Sequence, residues 1–341
     1  MSQRVTNGMM IQTFNRNLNK NMTQMQRHQA QLATNRKIVR LSDDPIGVIK
    51  SVNARSKLND IGQFNRNVDD ARAWMTASET AVSEVNEVLK RAYELTVQAA
   101  SDTLSNDDRQ AIAQEIVQLR DHIVQIGNTT IGDKFVFGGY NVTNQPYTVI
   151  YEDDDDKHGV LWLNGASDDP DRTAYAMFGD DFEGFAEINL ANNVINYEIG
   201  FGIYMDIGVG GVDFMGADEE NLYKIFTDLV QWLNGYDPDL NDVHDTEVGN
   251  REIQPFLAMF QEAQRKTLAI LADLGGRQNR LDLVSSRYGH DTINYTQMMS
   301  DVEDLDQAKA IMEFSMAEAV YRAALSVGAR IIQPTLVDFL R

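Results

Sequence analysis

Among the adjacent acidic side chains of this chain of 341 residues, two sets invite a chemical reading, since paired carboxylates are what metal binding and acid-base catalysis use. At Ser42-Asp43-Asp44-Pro45 a simpler chemistry accounts for the residue types. Ser and Asp are preferred helix N-caps, their oxygens accepting from free backbone N–H groups, and proline fits the first helical turn, where its missing N–H costs nothing. Ser42, Asp43, Asp44 and Pro45 are therefore read as a cap and hinge that starts a helix. The second set is Glu152-Asp153-Asp154-Asp155-Asp156. An EF-hand loop counted from Asp154 puts Asp156 third and Gly159 sixth, but Gly165 where a bidentate Glu is required. That leaves a solvated loop with at most loose cation binding.

The rest of the search for chemistry is negative. His28, His122, His158, His244 and His290 lack the i, i+4 spacing of a zinc helix, and there is no cysteine to act as thiolate ligand, nucleophile or disulfide partner. Gly200-Phe201-Gly202 lacks the third glycine of a dinucleotide fingerprint, and neither a Walker A loop nor a G-x-S-x-G elbow occurs. Carboxylates are abundant enough for a hydrolase, but nothing singles out a pair. No catalytic, cofactor or metal residues are assigned, and the expectation is a protein that is not an enzyme and needs no cofactor.

The elements are more informative. Ile61, Phe64, Val68, Ala71, Met75, Ser78, Val82, Val85, Leu89, Ala92, Thr96 and Ala99 alternate steps of three and four, the seam of a coiled coil. A helix from Pro45 to Ala99 would be a rod of roughly 80 Å at 1.5 Å per residue. Ser105-Asn106-Asp107-Asp108 caps a second helix striped by Ile112, Ile116, Leu119, Ile123 and Ile126, and a short turn at 101–105 folds it back antiparallel. A third stripe runs from Ile253 through Phe260, Leu274 and Leu281 to Tyr288, with its phase continuing to Val302.

Between these helices the chemistry switches to strands. Phe135-Val136-Phe137 leads into a turn at Gly138 and Gly139, and from 141 to 214 short apolar runs alternate with Asp, Asn and Gly clusters. That segment holds fifteen acids against Lys157 and Arg172, whereas residues 1–40 hold seven Lys or Arg and no acid. The overall charge of −21 argues against a nucleic-acid partner, and no apolar run reaches membrane-spanning length. The N-terminus has no continuous apolar segment like a cleaved signal peptide.

Both ends look like assembly helices. Ile11, Phe14, Leu18, Met25 and Leu32 occupy heptad positions in an Asn- and Gln-rich, basic background. Val302, Leu305, Met312, Met316 and Val327 are read as one face of a C-terminal helix, which Pro334 ends ahead of an apolar tip containing Leu336. Residues 301–341 carry seven acids and four bases, complementary to the basic start. These eleven residues, Ile11 to Leu336, form the expected assembly interface, the N-terminal set packing against Met312, Met316, Val327 and Leu336. The fold expected is mainly α with an inserted β-rich domain. Its rod is a long antiparallel coiled coil or helical bundle built from both ends of the chain. The domains would be 1–42 with 301–341, 43–140 with 215–300, and the acidic insert 141–214.

In this order, Leu32 through Ile38 with Ser42-Asp43-Asp44-Pro45, Phe135-Val136-Phe137-Gly138-Gly139, Gly276-Arg277-Gln278-Asn279-Arg280-Leu281 and the stretch from Val302 to Leu340 make the chain resemble the bacterial flagellin family of axial proteins. One departure is Thr34-Asn35, where that family often has a Ser-Gly or Thr-Gly pair. The proline after Asp43-Asp44 and the Phe-Gly-Gly turn point to the junction subunits of the family rather than to filament flagellin. The resemblance implies a structural subunit that forms a ring between hook and filament and transmits torque. It also implies export through the flagellar type III channel to an extracellular address. The partners it implies are further copies of the chain, hook-associated protein 1, flagellin, and an export chaperone on the C-terminal helix, with no nucleic acid and no membrane. Filament flagellin itself, or a stalked surface adhesin using the β insert, are the alternatives.

Overall fold

The computed structural model describes residues 7–101, 104–150, 160–164, 174–176, 195–217, 220–234, 236–237, 242–243 and 250–331. Packing divides the chain into two units, one made of residues 1–62 and 288–341, the other of 63–287. Among the described residues helices dominate, so the fold is mainly α with a smaller β region.

The second unit is a helical bundle. Its longest members come from α2 (Pro45–Ala99) and α6 (Asn250–Glu303), joined by α3 (Asn106–Gly127) and α5 (Leu222–Leu233). The α2 seam is buried throughout, Val68, Ala71, Met75, Leu89 and Ala92 being fully covered. Trp74, Ala81, Val88 and Leu95 are buried as well, because α2 has neighbours on two sides. Arg91 pairs with Glu115 and Glu84 with His122, so α3 runs antiparallel to α2. Arg72 with Asp282, Glu79 with Gln278 and Tyr93 with Gln261 place α6 antiparallel to α2 in the same way.

Helix α5 closes the bundle. Phe226 meets Phe260 of α6 edge to face, and the Arg120 guanidinium of α3 lies over the Tyr223 ring while donating to the Thr227 hydroxyl at 3.3 Å. Each large aliphatic side chain fully buried here stabilises the fold by about 1.5–3 kcal/mol. Ser105 starts α3 with a capping box, its hydroxyl accepting from the Asp108 N–H while the Asp108 carboxylate accepts from the Ser105 N–H.

The β elements are short. β1 (Thr130–Ile131) pairs with β2 (Lys134–Phe135), β3 (Tyr147–Ile150) with β4 (Val160–Asn164), β4 with β5 (Ala174–Ala176), and β6 (Asn196–Gly200) with β7 (Ile203–Asp206), all antiparallel. A one-turn helix, α4 (Gly211–Met215), falls inside the stretch expected to be strand-rich. A minute hairpin, β8 (Tyr236–Asp237) with β9 (Asp242–Val243), interrupts what reads as a polar loop. Gly138 and Gly139 form a turn in which the Asn141 N–H donates to the Gly138 carbonyl, with Gly139 at φ 58°. The acidic run 152–156 lies outside the described residues.

Tyr147 ties β3 to the bundle. Its ring is fully buried over Gly127, where a side chain would collide with it, and its phenol donates to the Gly211 carbonyl at 2.6 Å. Asn128 holds its backbone from both sides, accepting from the Tyr147 N–H and donating to the Tyr147 carbonyl. Burial, aided by the charge of Asp213, pushes the Tyr147 phenol well above its usual pKa.

The first unit contains α1 (Asn7–Thr34), the opening turns of α2, the closing turns of α6, and α7 (Gln307–Ile331). α1 ends at Asn35, the sole described non-glycine residue with positive φ, at 54°. Asparagine tolerates this left-handed conformation better than other side chains do. Asn35 thereby makes the helix-ending bend at a position where a glycine would be the usual choice.

Candidate assembly interface

α1 and α7 pack against each other, and three contacts fix their direction. The Phe14 ring lies against Gly328, His28 Nδ1 is 3.7 Å from the Glu313 carboxylate, and Gln307 donates to the Asn35 side chain at 3.0 Å. The two helices are antiparallel. On α1 the half-buried side chains are Ile11, Phe14, Leu18, Asn21, Met25, His28 and Leu32, with Gln31 buried. On α7 the covered positions are Ala310, Phe314, Ala317, Tyr321, Ala324 and Gly328, stepping by three and four, with Glu313 beside them.

Here the structure corrects the expected pairing. Met312, Met316 and Val327 are 57%, 62% and 52% exposed and lie on the opposite side of α7 from the α1 contact. Val302 and Leu305 are half-buried, but they do not share a helical face with those three residues. The reason is a break: α6 stops at Glu303 and α7 restarts at Gln307, with Asp306 accepting from the Lys309 N–H. The interruption resets the helical phase, so a stripe extrapolated from α6 does not run on through α7. Leu336 lies outside the described residues.

The residues that α7 does present to α1 are mostly small, and small residues let two helix backbones approach closely. A side chain on Gly328 would collide with the Phe14 ring. The opposite face of α7, with Ile311, Met312, Met316, Val320 and Val327, is left in solvent. A contiguous apolar strip of this kind on a protein surface marks an interaction site.

The connection between α1 and α2 is clasped by Glu303, a residue that sequence reasoning missed. Its side chain, 15% exposed, accepts from Ser51 Oγ and from Arg55 Nη2 at 2.7 Å, with Arg36 Nη1 at 3.8 Å. The Lys37 N–H donates to the Glu303 backbone carbonyl at 2.8 Å, and Arg36 bridges to Asp304. Gln31 reaches across to donate to the Lys37 carbonyl at 2.7 Å. A lone glutamate at a helix end carries no sequence signal for such a role, because its partners lie about 250 residues away.

In the cap and hinge, the work falls to Asp44 and Asp43. Asp44 Oδ1 accepts from the Gly47 N–H at 3.0 Å and Pro45 opens α2. Asp43 accepts from the Arg40 N–H at 3.0 Å and lies 3.6 Å from the Arg27 guanidinium, while Ser42 is exposed. Both aspartates border an open cavity of about 600 Å³, which also meets Gln31, Lys37, Asp306 and Glu313. Its charges are mixed, with Arg27 paired to Asp43 and His28 facing Glu313. Among the described residues no group of three or more His, Asp or Glu is placed to hold a metal ion, and no helix is long and apolar enough to cross a membrane.

The helical bundle with its smaller β region is an architecture that known proteins share. Residues 5–141 match the bacterial flagellin N-terminal helical region. That region is one that bacterial flagellins share, and the relatives that match most of the chain are flagellar structural proteins rather than enzymes. The chain is similar to flagellar hook-associated protein 3 of Escherichia coli strain K12, 23% identical over 324 residues and covering 94% of each chain. The Salmonella typhimurium protein of the same name is 21% identical over 297 residues, 86% of each chain. A flagellin of Clostridium tyrobutyricum is 32% identical over 126 residues, 37% of this chain and 33% of its own. The fold is shared with a hook-associated protein structure from Vibrio parahaemolyticus, at TM-score 0.58 and 18% identity, covering 77% of this chain and all of that one. It is shared also with FlgL of Xanthomonas campestris, at TM-score 0.53 and 14% identity, covering 72% and 99%.

Proposed function

We propose that this chain is a junction subunit of the flagellum, one of a ring of copies set between hook and filament that passes torque from one to the other. The similarity to hook-associated protein 3 along 94% of both chains supports this reading, and flagellins that match along as much of the chain keep filament flagellin as the second reading. The observation that carries it is the apolar outer face of α7, with Met312, Met316 and Val327 exposed although α1 already covers the other side of the helix. In an assembly, the terminal helices 1–42 and 301–341 form the inner layer and segment 141–214 projects outward. The neighbours are further copies, hook-associated protein 1 and flagellin. Export follows the flagellar type III route, with a chaperone shielding the C-terminal helix beforehand.

The test replaces the chromosomal copy with Met316→Asp. Met316 is exposed, so the purified variant should keep wild-type stability to within about 0.5 kcal/mol. The same substitution should eliminate the protein from sheared flagella and abolish swimming. Normal motility, or a filament-like copy number in the sheared material, would overturn the junction assignment.

A further inference from the structure

With no cysteine in the chain, any oxidation of its sulfur falls on its fourteen methionines. The two units hold theirs differently. In residues 63–287 Met75 and Met215 are fully buried and Met205 nearly so, with Met259 at the surface. In residues 1–62 and 288–341 Met9, Met10, Met22, Met298, Met312 and Met316 are all exposed. A thioether in water is open to two-electron oxidants, whereas one packed in a core is shielded until the core opens.

Met312 and Met316 stand apart within the exposed set. Four residues separate them, so they lie one turn from each other on the face of α7 turned away from α1. Ala319, Val320, Ala323 and Val327 continue that face, and from Met312 to Val327 it carries neither a charge nor a hydrogen-bond donor. Glu313 faces His28 instead, and Glu318 pairs with Arg322. A methionine is flexible and apolar, suited to an irregular packing contact. Its sulfoxide is polar and chiral. An S=O oxygen covered by a neighbour on this strip would have no donor from α7 to meet it, and a polar group buried without a partner is penalised.

We propose that Met312 and Met316 are a modification site for peroxides, through which oxidation of the free subunit bars it from assembly. In each, a sulfur lone pair attacks one peroxide oxygen. The S–O bond forms as the O–O bond breaks, and the second oxygen leaves as water with both peroxide protons. Sulfur loses two electrons and the peroxide gains them. Methionine sulfoxide reductases reverse the change. A neighbour seated on the strip would put both sulfurs out of reach, so the device acts on the subunit before it is built in. The effect on assembly rests on the proposed function of the outer face of α7; the oxidation site itself does not.

The test starts from the purified full-length chain in hydrogen peroxide, with the modified positions read by peptide mass. Met312 and Met316 should be oxidised at least tenfold faster than Met75 and Met215, and equal rates would overturn the site. The consequence is read in the chromosomal copy. Met312→Gln with Met316→Gln, in which glutamine matches the length and polarity of the sulfoxide, should keep the wild-type melting temperature but be recovered from sheared flagella at a tenth of the wild-type level or less. Met312→Leu with Met316→Leu should be recovered at the wild-type level. In cells regrowing sheared flagella, peroxide at a concentration that spares growth should lower incorporation of the wild type at least threefold and leave the leucine pair unchanged. Normal recovery of the glutamine pair, exclusion of the leucine pair, or equal sensitivity of leucine pair and wild type to peroxide would overturn this inference; exclusion of Met316→Asp would still leave the junction reading standing. A glutamine pair and a Met316→Asp variant that both assemble normally would overturn the two together.

Discussion

The ring of Phe14 fills the space that any side chain on Gly328 would need. A Cβ built at Gly328 would collide with Phe14 Cζ, so the absence of a side chain at one end of α7 sets how closely α1 can lie against it. Replacing Gly328 with leucine should therefore push the two helices apart at this end, despite leucine's better helix propensity. Hydrogen exchange at the amides of residues 11–20 should accelerate at least tenfold in Gly328→Leu, while the amides of 24–34, nearer the Asn35 and Gln307 contact, should change little. Adding Phe14→Ala to that variant should restore much of the protection.

Tyr147 makes a prediction about alkaline pH. Its phenol is fully buried and donates to the Gly211 carbonyl, so Tyr147→Phe should leave that carbonyl without its donor and cost about 1–3 kcal/mol. The folded pKa is raised, by burial first and Asp213 second, whereas in the unfolded chain the phenol ionises near its ordinary value of about 10. The stabilisation is therefore complete below pH about 10. It is lost progressively as pH rises from there towards the folded pKa. Urea unfolding at pH 8 and pH 11 should show a larger alkaline loss of stability in wild type than in Tyr147→Phe.

Glu303 should behave as a clasp whose removal is felt locally. Glu303→Gln keeps the shape but removes the charge that Arg36 and Arg55 share, and these arginines are about half exposed, so solvent offsets part of the loss. A destabilisation of about 1 kcal/mol is expected. The Lys37 amide, which donates to the Glu303 backbone carbonyl, should exchange about fivefold faster, with the amides of α3 unchanged.

Periodicity carried the helices of this fold well. The α2 stripe from Ile61 to Ala99 is buried at every position expected, and the α1 heptad set of Ile11, Phe14, Leu18, Met25 and Leu32 is the set that faces α7. Legibility stopped where tertiary geometry overrides local pattern. Met312, Met316 and Val327 read as a packing face because they are large and apolar, yet α1 selects Ala310, Ala317, Ala324 and Gly328, with Phe314 and Tyr321 between them. That second spacing is equally present in the sequence. Side-chain size hid it, and the break at residues 304–306 removed the phase reference that α6 supplies.

Likewise, the adjacent acids of Asp43 and Asp44 were legible as a cap, but their division of labour was not. Asp44 caps the Gly47 amide while Asp43 reaches Arg27 and the Arg40 amide, and that depends on a turn whose geometry local composition leaves open. Glu303 was out of reach for a related reason, since its significance is supplied wholly by distant groups.

The Asn35–Gln307 contact also bears on the order in which the molecule acquires its structure. It joins residues 272 apart, whereas Arg91 and Glu115, which tie α2 to α3, are separated by only 24. Contacts so remote in sequence demand that most of the chain be gathered before they are rewarded. The α2–α3 hairpin can therefore close while translation is still under way, but α1 has no partner until the last residues of α7 have been made. α1 therefore stays unzipped while everything between it and α7 is being made, and its pairing is a late event in which two helices far apart along the chain meet.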